Sequence, residues 1–323
     1  MSLVLCVYND QMTRKRLFIH SVFLVLLPLL VAGLGLGLVS ATALVLLLVL
    51  WRWLIVLSGI VAPEKTPALE LETTPASHYV EKVRWCMDRL GVEYEEQACG
   101  GTLGVFFTGR TVPLLKVRTG LVRTRIGNSP DILRYLWGNY CVSHAESAGF
   151  LEPTTERLEF ERKLDRYGRN LQVWIYYHLL HHRDLTLRLW GANNPLVPRW
   201  QRQALRIAFP VLAVLIRYSF AINREHHTKS VLHIDGLLSY IDTQLADGRQ
   251  SILGGNAVNY TDLAFAGLSG LWMQSQGYGG GSAEACRIER ADLPAEMRAE
   301  IERWIEDFPK ATMFVTRLYA EER

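Results

Sequence analysis

Two serines in this chain stand where serine can do chemistry as well as structure. Ser77 directly precedes a stretch in which Val80, Val83, Met87 and Leu90 recur at helical spacing. That pattern predicts a helix over 78–90, ended by Gly91, with an Arg84–Asp88 pair on its outer face. Ser129-Pro130 opens a second helix, with Ser as N-cap and Pro at the first helical position. A helix N-terminus presents unpaired N–H groups and partial positive charge, so each point suits an anionic group. The plainer role of both serines is to cap their helices.

Histidines raise a different chemistry. His178, His181 and His182, with His226, His227 and His233, invite a metal reading, because His178 and His182 lie one helical turn apart. A zinc site needs a third ligand and a second shell, which no spacing here supplies. The expectation is therefore a core or solvated histidine cluster, with no metal. The cysteines, Cys6, Cys86, Cys99, Cys141 and Cys286, are scattered, odd in number and without a CxxC pair. They read as reduced thiols rather than a disulfide framework.

The elements that must position these residues fall into two groups. Leu69 and Leu71 alternate with Glu70 and Glu72 as in a strand, 73–77 is a turn, and 92–95 reads as a second strand. Residues 96–110 are Gly-rich and poorly patterned. Residues 112–117 and about 121–126 read as a hairpin. From 153 onward the pattern is helical, clearest over 154–182, 197–222, 229–247, 259–274 and 294–306. The apolar run 207–216, interrupted by Pro210, is too short to span a bilayer and is expected as a buried core helix rather than a membrane contact.

The N-terminal region differs in kind. No Asp, Glu, Lys or Arg occurs from Leu17 to Trp51, and the apolar run resumes after Arg52 as far as Pro63. A cleaved signal peptide would have a much shorter apolar region, of about 7–15 residues. A single helix over 17–61 would reach about 67 Å, against about 30 Å of hydrocarbon. Gly33, Gly35 and Gly37 suggest a turn, hence a membrane hairpin with arms over roughly 17–35 and 40–61, the second shortened by Trp51-Arg52-Trp53. Pro63 and Pro67 mark a stiff linker over 62–68. The formal charge of +3 arises in the anchor region, leaving 31 basic and 31 acidic residues from 64 onward. A neutral domain without a basic stripe argues against nucleic acid as partner. Arg14, Lys15 and Arg16 favour a cytoplasmic N-terminus.

Four segments carry a family resemblance. Ser77-His78-Tyr79-Val80-Glu81-Lys82-Val83-Arg84-Trp85 resembles the start of the first helix of glutathione transferases, where a catalytic Ser, Cys or Tyr precedes a helix with a Lys-Val-Arg-like element. Thr111-Val112-Pro113-Leu114-Leu115 resembles that family's Val-Pro-x-Leu segment, whose proline is cis. Gly127-Asn128-Ser129, then Asp131-Ile132-Leu133, resembles its acid-Ser pair before the third helix, with Asn128 in place of the acid. Leu253-Gly254-Gly255 and Asn259-Tyr260-Thr261-Asp262-Leu263-Ala264 resemble the capping motif of a late core helix, with Asn259 and Asp262 as structural caps.

The resemblance implies an α/β thioredoxin-like domain followed by an all-α C-terminal domain, here preceded by the hydrophobic helical hairpin. The expected organisation is a basic tail over 1–16, an anchor over 17–61 and a linker over 62–68. A glutathione-binding domain over 69–140, a linker over 141–152 and a helical substrate domain over 153–323 follow. It implies glutathione as co-substrate, bound through Tyr79, Arg110, Val112, Pro113, Asn128 and Ser129, with Ser77 donating to its sulfur and lowering the thiol pKa. An apolar electrophile would meet Tyr167, Trp174 and Tyr177. A homodimer and contact with membrane lipid are also implied, with the soluble domain facing the cytoplasm. The alternatives are a non-catalytic module of the same fold that recruits a partner at a membrane, and thiol–disulfide chemistry. The latter needs a cysteine where Ser77 stands.

Overall fold

The computed structural model describes residues 26–35, 37–61, 67–101, 103, 112–119 and 122–323. Arg110, the basic tail, residues 17–25 of the anchor and residues 62–66 of the linker lie outside the described residues. The chain divides into two compact units. One holds the residues up to Pro67 together with Arg118–Arg123, and the other holds Ala68–Val117 and Thr124–Arg323.

In the first unit, a helical stretch at 26–33 stops at a turn over 34–35, and helix α1 runs over Gly37–Val61. Gly35 and Gly37 have φ of 76° and 81°, a region open to glycine without a Cβ clash. Leu38 and Val39 are 80% and 84% exposed, and Trp51 and Trp53 also stand outward. The helix runs unbroken through Trp51-Arg52-Trp53. Among the described residues one helix, Gly37–Leu57, is long and apolar enough to cross a membrane.

In the second unit, β1 (Ala68–Thr73) buries Leu69, Leu71 and Thr73 on one face, as its alternation requires. It leads into α2 (His78–Leu90), which Gly91 ends in the left-handed conformation at φ 71°. Strand β2 (Glu95–Ala98) pairs parallel with β1, Glu70 opposite Glu95 and Thr73 opposite Ala98. The expected strand at 92–95 therefore lies three residues too early. Val92 is spent on the helix end, its N–H donating to the Met87 carbonyl at 3.3 Å. Strands β3 (Leu114–Thr119) and β4 (Val122–Gly127) complete a sheet of order β2-β1-β3-β4. Only two residues join β3 to β4, which makes them antiparallel, since a parallel pair needs a crossover of about a dozen.

Helix α3 (Ser129–Tyr140) follows, and its N-cap is Asn128, not Ser129. The longer helices beyond are α4 (Thr155–Leu179), α5 (Arg183–Leu189), α6 (Arg199–Ser219), α7 (Arg224–Gln244), α8 (Tyr260–Met273), α9 (Ala295–Asp307) and α10 (Pro309–Glu321). Periodicity misses α5 and α10 and begins α7 too late. Asn223 caps α7 by accepting the His226 N–H at 2.9 Å. The thioredoxin-like sheet followed by helices alone matches the architecture that the resemblance implied.

Three further expectations change. Arg84 is not on an outer face: α2 is wedged between the sheet and α8, and Arg84 is 2% exposed, paired with Glu81 and Glu96 instead of Asp88. The wedge is tight because a Cβ on Gly267 of α8 would lie 3.1 Å from the Lys82 backbone nitrogen. Helix α6 buries Leu205, Phe209, Leu212 and Ile216 but exposes Ile207, Val211, Val214, Leu215 and Tyr218. It is thus half core and half apolar surface, not a fully buried helix. It also runs on through Pro210.

Candidate functional site

Ser77 joins the turn after β1 to α2. Its N–H donates to the Thr74 carbonyl at 2.9 Å, and its own carbonyl accepts the Glu81 N–H at 3.0 Å. Its backbone is extended (φ −74°, ψ 122°), as an N-cap should be, yet its hydroxyl makes no capping hydrogen bond. Among the described residues this half-buried side chain has no hydrogen-bond partner, and it stands at the positive end of a thirteen-residue helix. The segment before it is held on both sides. Thr74 Oγ1 donates to the Gly101 carbonyl at 3.2 Å, and Tyr278 Oη donates to the Ala76 carbonyl at 3.0 Å.

The Val112-Pro113 bond is cis, as the resemblance implied, with Pro113 buried and Val112 half-buried just before β3. Because β3 and β4 are antiparallel, this bond and Asn128-Ser129 come to the same end of the sheet. Asn128 is exposed and Ser129 buried. Asn128 has φ 75° and ψ 126°, a combination outside the wells open to most residues, which costs roughly 1–3 kcal/mol. Burial raises the pKa of neighbouring Asp131, opposed by a hydrogen bond from Asn128 and by the Arg134 charge.

Tyr79 is directed elsewhere. Its hydroxyl donates to the Asp165 carbonyl at 3.2 Å, which turns it toward α4. His78 packs beside it, 4.4 Å between ring centres, and its Nε2–H donates to the Gly168 carbonyl at 3.1 Å. Burial pushes the His78 pKa down to about 4, although the Gly168 bond opposes this. The next turn carries Lys82, whose Nζ meets Glu161 Oε1 at 2.9 Å; Glu161 also pairs with Arg134. These contacts fasten the Ser77 helix to the helical half.

The three aromatic residues expected at the electrophile do not share a cavity. Tyr167 is buried, its hydroxyl 2.9 Å from Ser269 Oγ and accepting the Trp272 Nε1–H at 3.0 Å. Trp174 is buried and donates from Nε1 to Glu300. Tyr177 stacks on His227, 3.9 Å between ring centres. An apolar cavity beside Ala76 is lined instead by Ile175, Leu179, Leu271, Trp272 and Tyr278, among others, and holds about 50 Å³. One residue along a helix turns a side chain by about 100°, so Ile175 and Leu179 face this cavity while Trp174 does not. Its volume suits a water or two rather than a substrate.

Thiol chemistry finds no support in the described cysteines that shift. Burial pushes the Cys86 thiol up to about 12, and burial with the Glu72 charge pushes Cys99 up to about 11. A nucleophilic thiol needs the opposite. Asn259 and Asp262 form the reciprocal cap expected of them: Asn259 accepts the Thr261 N–H, and Asp262 accepts the Asn259 N–H, each at 2.9 Å. Among the described residues one group of side chains could hold a metal ion, His178, His227 and Glu300. Nothing in the sequence singles out Glu300. It lies on a different helix, and no local signal links it to the histidines.

No protein-family model and no curated protein matches the chain. Solved structures similar to it include a glutathione transferase from Methylobacterium radiotolerans in complex with glutathione sulfonate. That match has 16% identity over 79% of this chain and 91% of that one, with a TM-score of 0.46. FzlA from C. crescentus is 15% identical over 79% and 89%, with a TM-score of 0.47. A maleylacetoacetate isomerase from Anaeromyxobacter dehalogenans, with glutathione bound in its active site, is 15% identical over 77% and 95%, with a TM-score of 0.40.

Proposed function

We propose that this protein is a membrane-tethered glutathione transferase-like enzyme that directs a glutathione thiolate at an apolar electrophile. The observation that carries the reading is the Ser77 hydroxyl at the N-terminus of α2, which makes no capping hydrogen bond. A donor there lowers the pKa of a bound thiol by stabilising its charged form, helped by the helix N–H groups. The thiol proton leaves to solvent, a sulfur–carbon bond forms, and the electrophile's leaving group departs with its electron pair. Backbone groups of Val112 would pair with the tripeptide. Asn128 and Ser129 would take the γ-glutamyl carboxylate at the start of α3. Arg110 would meet the glycyl end.

Exposed apolar α1 supports the tether, and the glycine break before it supports a hairpin returning the chain to the cytoplasmic side, where the catalytic unit would face glutathione. A homodimer is part of the same reading. The test is isothermal titration of glutathione into the full chain in detergent micelles. Binding in the micromolar to millimolar range is expected, and none at millimolar glutathione would remove the reading.

A second reading is a non-catalytic module of the same fold that recruits a partner at a membrane. The cavity beside Ala76 favours it, because at about 50 Å³ it is too small for an electrophile. Glutathione binding without conjugation of any of a panel of electrophiles would select this alternative.

A further inference from the structure

We propose that His178, His227 and Glu300 form a binding site for one zinc-type divalent cation, held between α4, α7 and α9. His178 Nε2 lies 3.2 Å from Glu300 Oε2 and 3.2 Å from His227 Nε2, and His227 Nε2 lies 3.5 Å from Glu300 Oε2. Bonds of about 2.0–2.1 Å in a tetrahedral site place ligand atoms about 3.3–3.4 Å apart. The three observed separations bracket that value. The triangle thus has the edge lengths of one face of a zinc tetrahedron.

Hydrogen bonding alone satisfies this triangle poorly. Each imidazole nitrogen offers one in-plane direction, either a lone pair or a single N–H. Two N–H groups turned inward would crowd on the one Glu300 oxygen, which already accepts from Trp174. One inward N–H can serve Glu300 but leaves the other nitrogen without a donor aimed at it. A cation at the centre accepts all three lone pairs at once.

The surroundings hold the three side chains in place. Trp174 Nε1 donates to the same Glu300 oxygen, fixing the carboxylate. Tyr177 lies flat on the His227 ring, and Trp174 meets the His178 ring edge-on at 5.4 Å between centres. These contacts set both ring planes. His178 is almost fully buried, while the Glu300 side chain keeps a quarter of its surface in solvent, so water can reach a fourth position. Two imidazoles and a carboxylate suit zinc-type ions and disfavour calcium or magnesium, which take oxygen ligands.

Cobalt titration tests the assignment. The full chain, freed of any affinity tag, is stripped with chelator in detergent and titrated with Co²⁺. One equivalent should produce the intense visible bands of a four-coordinate ion, and one equivalent of Zn²⁺ should abolish them. Glu300→Gln and His227→Gln should each weaken binding at least tenfold, while His233→Gln, outside the triangle, should leave it unchanged. No such bands in the parent chain would overturn the proposal, as would unchanged binding in folded Glu300→Gln. Should both variants fail to fold by circular dichroism, X-ray absorption of the zinc-loaded parent decides. Two imidazoles and one carboxylate oxygen at about 2.0–2.2 Å support the site, and any other ligand set refutes it.

Discussion

Lys82 Nζ lies 2.9 Å from Glu161 Oε1, and neither side chain has more than a trace of exposure. This pair ties the helix that begins at Ser77 to the first long helix of the helical half. Glu161 also receives Arg134, and Tyr260 Oη stands at 3.5 Å. Removing one partner of a buried ion pair strands the other charge, at a cost of about 3–5 kcal/mol. Lys82→Met is expected to destabilise the protein by about 3 kcal/mol, the low end, because Arg134 still partners Glu161. Denaturant unfolding reads this directly, and a loss below about 0.5 kcal/mol would show that the pair does not hold the halves together.

Ser77 separates catalysis from stability. Its hydroxyl spends no hydrogen bond on the helix, so Ser77→Ala should cost no more than about 0.5 kcal/mol of stability. If the hydroxyl serves the sulfur, the same change should lower kcat/KM for conjugation by on the order of 10²-fold. The pKa of bound glutathione, read from thiolate absorbance, should rise in parallel. An unchanged conjugation rate would remove the role given to Ser77.

His78 makes stability depend on pH. Its pKa falls from 6.5 in the unfolded chain to about 4 in the fold, chiefly through burial. Between those values the unfolded state binds more protons than the folded one. The stability is therefore full above pH 6.5 and is lost as pH falls toward 4. The loss between pH 7 and pH 5 should be about 2 kcal/mol. In His78→Gln, which keeps a donor for the Gly168 carbonyl, this share of the loss should vanish. Urea unfolding of both proteins at the two pH values measures it, and identical losses would contradict the assignment.

Asp262 satisfies two buried backbone donors, the N–H of Asn259 at 2.9 Å and that of Ile252 at 2.8 Å. Asp262→Ala orphans both at once. At about 1–3 kcal/mol each, the variant should lose roughly 3 kcal/mol. Asp262→Asn, which keeps one acceptor oxygen, should lose less. Equal melting temperatures for the two variants would argue against a capping role.

Anchoring is tested by topology. The full chain should stay with membranes after alkaline carbonate extraction. With a hairpin, protease added from the cytoplasmic side should remove an N-terminal tag along with the catalytic unit. A tag shielded while that unit is digested would point to a single crossing by α1 instead.

Features set by short-range interactions are legible in the amino-acid sequence. Helix α2 over 78–90, its stop at Gly91, the reciprocal cap of Asn259 and Asp262, and the apolar segment around α1 are of this kind, because each depends on neighbours within a few residues. The cis bond at Val112-Pro113 follows from resemblance rather than from pattern. What periodicity cannot say is which partner a face meets. Arg84 and Asp88 sit at a spacing that suits an exposed pair, yet α2 is covered on both sides. Arg84 therefore turns to Glu81 and Glu96, while Asp88 takes Arg323, 235 residues away. Trp174 and Tyr177 form an aromatic stripe suited to a ligand, but the rotation of α4 gives them to the histidines and gives Ile175 and Leu179 to the cavity. His178 has its sequence neighbour His182 at helical spacing, and tertiary packing chooses His227 and Glu300 instead. The chain by itself determined its helices, caps and apolar segment through short-range sterics and hydrogen bonding. Only the packing of distant helices, with the need to pair every charge that packing buries, decided which side chains could act together.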